Sequence, residues 1–193
     1  MTRFFQGSLG LLLLVATAVA EPSPAAPAVR LTMPGPGAQN LMLGTWTIRV
    51  RHEPSPEQPK GAQGVGTEVW RPGPGGRSVI EEYDERTATG SLEGIGIAWW
   101  DEKEKGLRVV WCDSQDPGAC RQYQNVARWQ GNSLVQTEES EVDGKPLVIR
   151  ETFTDITSSS FTQILEASPK VDALKPIITI HATRASPAAP AKP

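Results

Sequence analysis

From Met42 onward, apolar and polar residues recur with a period of two rather than 3.6, the spacing of strands whose side chains point alternately to two faces. Ten runs rich in β-branched and aromatic residues carry the pattern: Met42–His52, Gly64–Arg71, Arg77–Asp84, Ser91–Trp100, Leu107–Asp113, Arg121–Trp129, Ser133–Glu139, Leu147–Phe153, Ser160–Ala167 and Ile177–Arg184. Turn residues separate them, among them Pro72-Gly-Pro-Gly-Gly, Thr89-Gly90, Asp116-Pro-Gly, Gln130-Gly-Asn and Asp143-Gly144-Lys. Asp143-Gly144 suits a hairpin turn, where glycine accepts positive φ at little steric cost. No segment between these turns sustains apolar i, i+3, i+4 spacing. The pattern predicts an all-β fold of antiparallel strands linked in order by hairpins.

A sheet of about ten such strands must dispose of two edges. A single up-and-down β-barrel closes them, whereas a sandwich, the competing architecture, usually needs longer Greek-key crossings. A ten-strand barrel has a lumen too wide for side chains alone to fill, so it tends to hold a ligand or water. That step connects strand number to function.

The ends read differently. Arg3 followed by the small and apolar run Leu9 to Ala20, closing on Ala18-Val19-Ala20, has the form of a signal peptide over residues 1–20. Its dozen or so apolar residues fall short of the roughly 20 that span a bilayer, so no membrane span is expected. Residues 21–39 form a Pro/Ala/Gly-rich linker, 40–185 the barrel domain and 186–193 a Pro/Ala-rich tail expected to be disordered. The expected location is secreted or periplasmic. Cys112 and Cys120 flank a turn-rich stretch, and in an oxidising compartment they are expected to pair as a structural disulfide.

Composition removes several classes. The net charge of −3 gives no electrostatic footprint for nucleic acid. With 2 His and no cysteine cluster, no all-protein metal cage is expected and no metal site is assigned. Gly64-Val-Gly66 and Gly94-Ile-Gly96 lie inside strands and open no helix, so they form no dinucleotide fingerprint and are read as relieving crowding. Asp113, Asp116 and Gly118 lack the spacing and terminal glutamate of a calcium loop. No Gly-x-Ser-x-Gly elbow is present. Glu81-Glu82 and Glu138-Glu139 are adjacent, face opposite sides of a strand, and are expected to be solvated. No catalytic residue is assigned.

Gly44-Thr45-Trp46 at the head of the first strand resembles the Gly-x-Trp signature of the calycin superfamily, the lipocalins and fatty-acid-binding proteins. In that superfamily the tryptophan closes one barrel end under an arginine near the end of the last strand, and Arg184 stands at that position here. A guanidinium over an indole contributes about 0.5 to 2 kcal/mol. Gly44-Thr-Trp, Gly75-Gly-Arg-Ser-Val-Ile-Glu-Glu-Tyr and Leu92-Glu-Gly-Ile-Gly-Ile-Ala-Trp-Trp-Asp together resemble secreted bacterial lipocalin-like domains of unassigned function. That resemblance implies a calycin-like barrel more than an activity. The helix–turn–helix lid of fatty-acid-binding proteins is not expected after the first strand, because Pro54, Pro56 and Pro59 forbid regular helix there. His181 on the last strand resembles the axial ligand of the haem-binding nitrobindin barrels, although Thr47-Ile48-Arg49-Val50 departs from their opening pattern.

Alternation nominates the lumen. Trp46, Ile48, Tyr83, Trp111, Tyr123, Trp129, Phe153 and His181 are the candidate lining, with Trp46 and Arg184 also closing the barrel. Aromatic walls with a few polar tips suit an elongated apolar guest. The expected function is binding of a small hydrophobic molecule by a monomer or weak dimer, with no cofactor. The alternatives are an enzyme using the chamber through Glu81, Glu93, Tyr83 or His181, a haem-binding barrel, and an interaction protein with a filled core.

Overall fold

The computed structural model describes residues 41–186 except 57 and 143. The proposed signal peptide, the linker and all but the first residue of the tail lie outside the described residues. Eleven strands follow one another: β1 Gly44–His52, β2 Ala62–Pro72, β3 Ser78–Thr87, β4 Ser91–Asp101, β5 Gly106–Asp113, β6 Cys120–Gln122, β7 Arg128–Gln130, β8 Ser133–Val142, β9 Lys145–Thr154, β10 Ser160–Ser168 and β11 Lys175–Arg184. Short 3₁₀ turns at Pro74–Gly76 and Val171–Ala173 interrupt the connections. The loop after β1 carries bends and turns but no helix among its described residues, as its prolines require.

The sheet runs β6-β5-β4-β3-β2-β1-β11-β10-β9-β8-β7, each strand antiparallel to its neighbours. First and last strands meet: Trp46 pairs with Arg184 and His52 with Ile178. The remaining edges are joined by residues 120–130. On one side Cys120–Gln122 pairs with Val110–Cys112, and Leu107 and Ala127 exchange backbone hydrogen bonds of 2.9 and 2.8 Å. On the other, β7 pairs with β8, the Gln136 side-chain amide donates to the Asn125 carbonyl, and the Asn125 side-chain amide donates to the Thr137 carbonyl. The sheet is thereby sealed into an up-and-down barrel.

The sequence pattern predicts a single strand over Arg121–Trp129. The structure has two short strands instead, because the intervening residues bond to β5 and β8 through isolated backbone and side-chain contacts rather than a continuous ladder. Cys112 and Cys120 face each other in register and form the disulfide. Inside the turn they bracket, Asp113 accepts backbone hydrogen bonds from Gln115 and Asp116, and Asp116 accepts one from Gly118. Arg121 closes on Asp116 at 2.9 Å. The carboxylates are thus consumed by the turn itself.

The core fills one side of the tube. Trp46, Ile48 and Val50 project inward from β1 and pack with Phe161 from β10 and Ile180 and Ala182 from β11. Trp46 meets Phe161 edge-to-face with ring centroids 4.8 Å apart and donates its indole N–H to the Met42 carbonyl at 2.7 Å. The Arg184 guanidinium carbon lies 4.0 Å from the Trp46 ring centroid, while its nitrogens donate to the Leu43 and Ser158 carbonyls. Gly44 adopts φ +128, and a side chain there would strike this guanidinium.

Candidate functional site

Adjoining the packing around Trp46, and sharing Ile180 with it, lies a chamber of about 330 Å³. Its apolar wall includes Val79 of β3, Leu107, Val109 and Trp111 of β5, Ile149 and Phe153 of β9, and Ile178 and Ile180 of β11. Tyr83 and Trp111 meet edge-to-face at 6.0 Å, as do Trp70 and Phe153 at 6.1 Å. Glycines on inward positions make the room. A Cβ at Gly94 would collide with the Trp111 ring, one at Gly64 with the Glu85 carboxylate, and one at Gly96 would come within 2.9 Å of Glu81. The crowding expected at these glycines comes from side chains of neighbouring strands that occupy the lumen.

Glutamates also face inward. On β3 the inward series is Val79, Glu81, Tyr83 and Glu85, so the strand's interior face is half acidic. β2 contributes Glu68, fully buried, and β9 contributes Glu151 between Ile149 and Phe153. The expectation of solvated carboxylates is therefore corrected for Glu81 and Glu138, which are buried, while Glu82 and Glu139 stay exposed. Opposite facing of adjacent residues holds; which face is wet follows from the barrel's curvature.

Each inward carboxyl has a different set of partners. Glu68 accepts the Trp70 indole N–H at 3.1 Å through Oε2, and its buried Oε1 has no partner among the described residues. Burial pushes its pKa up to about 7, with the Trp70 bond opposing and Glu151 reinforcing. Glu85 is held at both oxygens, accepting the Tyr83 hydroxyl at 2.8 Å and contacting His52 Nε2 at 2.6 Å. Glu151 accepts the Gln163 amide at 2.5 Å, and burial still pushes its pKa up. Glu81 lines the chamber, is only 9% exposed, and receives no hydrogen bond or ion pair from any described residue. Burial first, then repulsion from Glu68 and Glu151, drives its pKa well above the ordinary carboxyl range. Burial likewise raises Tyr83 and Tyr123 above the usual phenol value.

Of the eight nominated lining residues, Tyr83, Trp111, Tyr123 and Phe153 do line the chamber. The other four are corrected. Trp46 and Ile48 are wholly buried in the packed side of the core and leave no surface to a guest. Trp129 is half-buried beyond the chamber, on the far side of the break between β6 and β7. His181 points outward, exposed, with its Nδ1 3.3 Å from the Thr162 hydroxyl, because Ile180 and Ala182 take the inward positions of β11. It cannot ligate a haem in the lumen. Glu93 also faces outward. The residues that sequence reasoning missed are Glu68, Glu85, Glu151, Gln163 and His52. For Glu85, Glu151 and His52 the signal was parity with Tyr83, Phe153 and Ile48, already assigned inward; Glu68 and Gln163 share parity with Trp70 and Phe161, on strands where no inward residue had been assigned.

No family model matches the chain, and no curated protein sequence does. Among solved structures it is similar to a de novo designed fluorescence-activating β-barrel, at 14% identity and a TM-score of 0.42, covering 77% of this chain and 97% of that one. It is also similar to EF1p2_mFAP2b bound to DFHBI, at 13% identity, a TM-score of 0.42 and the same coverage of each chain. The assignment of a barrel rests on the strand order and on the closure through residues 120–130.

Proposed function

We propose that this protein is a secreted or periplasmic, calycin-like binding module whose lumen takes up a small, largely apolar molecule. The observation that carries the reading is the chamber of about 330 Å³, a size typical of small-molecule sites, with an aromatic and aliphatic wall. Binding would come from burying apolar ligand surface, at about 25 cal/mol per Å² before the costs of association. The Trp46–Arg184 closure supports the calycin-like assignment, and the disulfide is compatible with export. Native mass spectrometry of freshly isolated protein, followed by displacement of an environment-sensitive naphthylamine dye, tests the reading. Retained lipid-like mass and saturable dye binding are expected; a chamber that takes up neither overturns it.

A second reading is favoured by one feature, the unpartnered Glu81 carboxyl facing the same chamber with its pKa raised. Burial favours its protonated form, so an isomerase or hydrolase would use it as a general acid toward a bound guest. Turnover of a bound guest, abolished by Glu81→Gln with binding retained, would distinguish catalysis from carriage.

A further inference from the structure

The chamber's polar groups are biased toward acceptors. Glu81 and Glu151 both line it, and Glu81 has no donor in contact with it. Gln163 gives its amide N–H to Glu151 and leaves its own carbonyl oxygen buried without a partner. The cation at the wall, Arg121, is already engaged by Asp116 at 2.9 Å, with Asp113 at 3.9 Å. A buried acceptor left unmatched is costly, and the cost is removed when a guest brings the missing donor. A carboxylic acid would bring a further carboxyl whose ionisation burial and the neighbouring carboxyls oppose, whereas a cation favours the ionised form of a carboxyl beside it. An alcohol would supply a donor without compensating any charge. An ammonium supplies both, at the short distances and low dielectric where a charge-assisted hydrogen bond is strongest.

We propose that the guest is a lipophilic amine, with a hydrocarbon or aromatic body against the chamber's aromatic and aliphatic wall and its protonated nitrogen directed to Glu81. This rests on the reading of the barrel as a small-molecule binder and narrows it to one chemical class.

Three probes with one hydrocarbon body separate the two ideas: octylamine, 1-octanol and octanoate, titrated calorimetrically into the purified protein at pH 7.5. Octylamine is expected to bind at least tenfold more tightly than 1-octanol, and octanoate more weakly than either. In Glu81→Gln the amine-to-alcohol ratio should collapse toward one while 1-octanol affinity holds within threefold; Glu82→Gln, on the outer face, should leave the ratio unchanged. Equal affinities for octylamine and 1-octanol in the unmodified protein, or a preference for octanoate, overturn the amine assignment but leave apolar binding standing. Binding of none of the three overturns both. The ratio in the unmodified protein decides the matter even if Glu81→Gln fails to fold.

Discussion

Replacing Glu68 with glutamine should stabilise this protein at alkaline pH and leave it nearly unchanged in mild acid. Glu68 is fully buried on β2, with one oxygen bonded to Trp70 and the other unpartnered. Its pKa rises from 4.5 to about 7 on folding, mainly through burial. Above pH 4.5 the unfolded chain gives up this proton first, so stability falls as pH rises until the folded group also ionises near 7. At about 1.4 kcal/mol per pH unit, the ionised carboxylate costs about 3 kcal/mol at pH 8. Glutamine keeps the volume and an acceptor for Trp70 but has no charge to desolvate. Urea denaturation with a slope of about 2 kcal/mol per M should show the midpoint of Glu68→Gln about 1.5 M higher at pH 8, and a much smaller difference at pH 5. Part of the gain will come from Glu81, whose ionisation Glu68 opposes. Equal effects at both pH values, or destabilisation at pH 8, would refute the reasoning.

Other perturbations follow from the same geometry. Replacing both Cys112 and Cys120 with alanine should lower stability by about 2 to 3 kcal/mol in the chain-entropy account, read as a drop in thermal midpoint that the untreated parent shows only under reductant. Gly66→Ala should cost about 2 kcal/mol or more, because its Cβ would collide with the Asp84 backbone carbonyl, which cannot rotate away; Gly90→Ala, facing open space, should cost far less, and comparable losses would contradict this account. Arg184→Lys should lose about 1 to 3 kcal/mol with a change in near-ultraviolet dichroism, since an ammonium cannot cover the Trp46 ring and reach both the Leu43 and Ser158 carbonyls. Tyr83→Phe removes one of the two groups holding Glu85 and should destabilise by about 1 to 3 kcal/mol at neutral pH, measured by the same denaturation.

Strand positions, the hairpin order and the disulfide were legible in the sequence because each depends on local information, whereas the Trp46–Arg184 contact, between the first and last strands, was expected only from a family resemblance. Side-chain alternation has a period of two wherever a strand forms, turn residues mark its ends, and the two cysteines flank a single turn. Parity alone also placed Tyr83, Trp111 and Phe153 on the lumen side. The same parity groups Glu81 and Glu85 with Val79, and Glu151 with Phe153, but the usual cost of burying a carboxylate argued for solvent instead. Only the closed tertiary structure decides that question. Once the tube is sealed through residues 120–130, an inward residue has nowhere else to go. The apolar packing around Trp46, Ile48 and Phe161 sets which inward residues are wholly buried and which are left facing a cavity. Alternation says which residues share a face, whereas the chemistry of that face depends on what lies across the lumen, on strands far away in the chain.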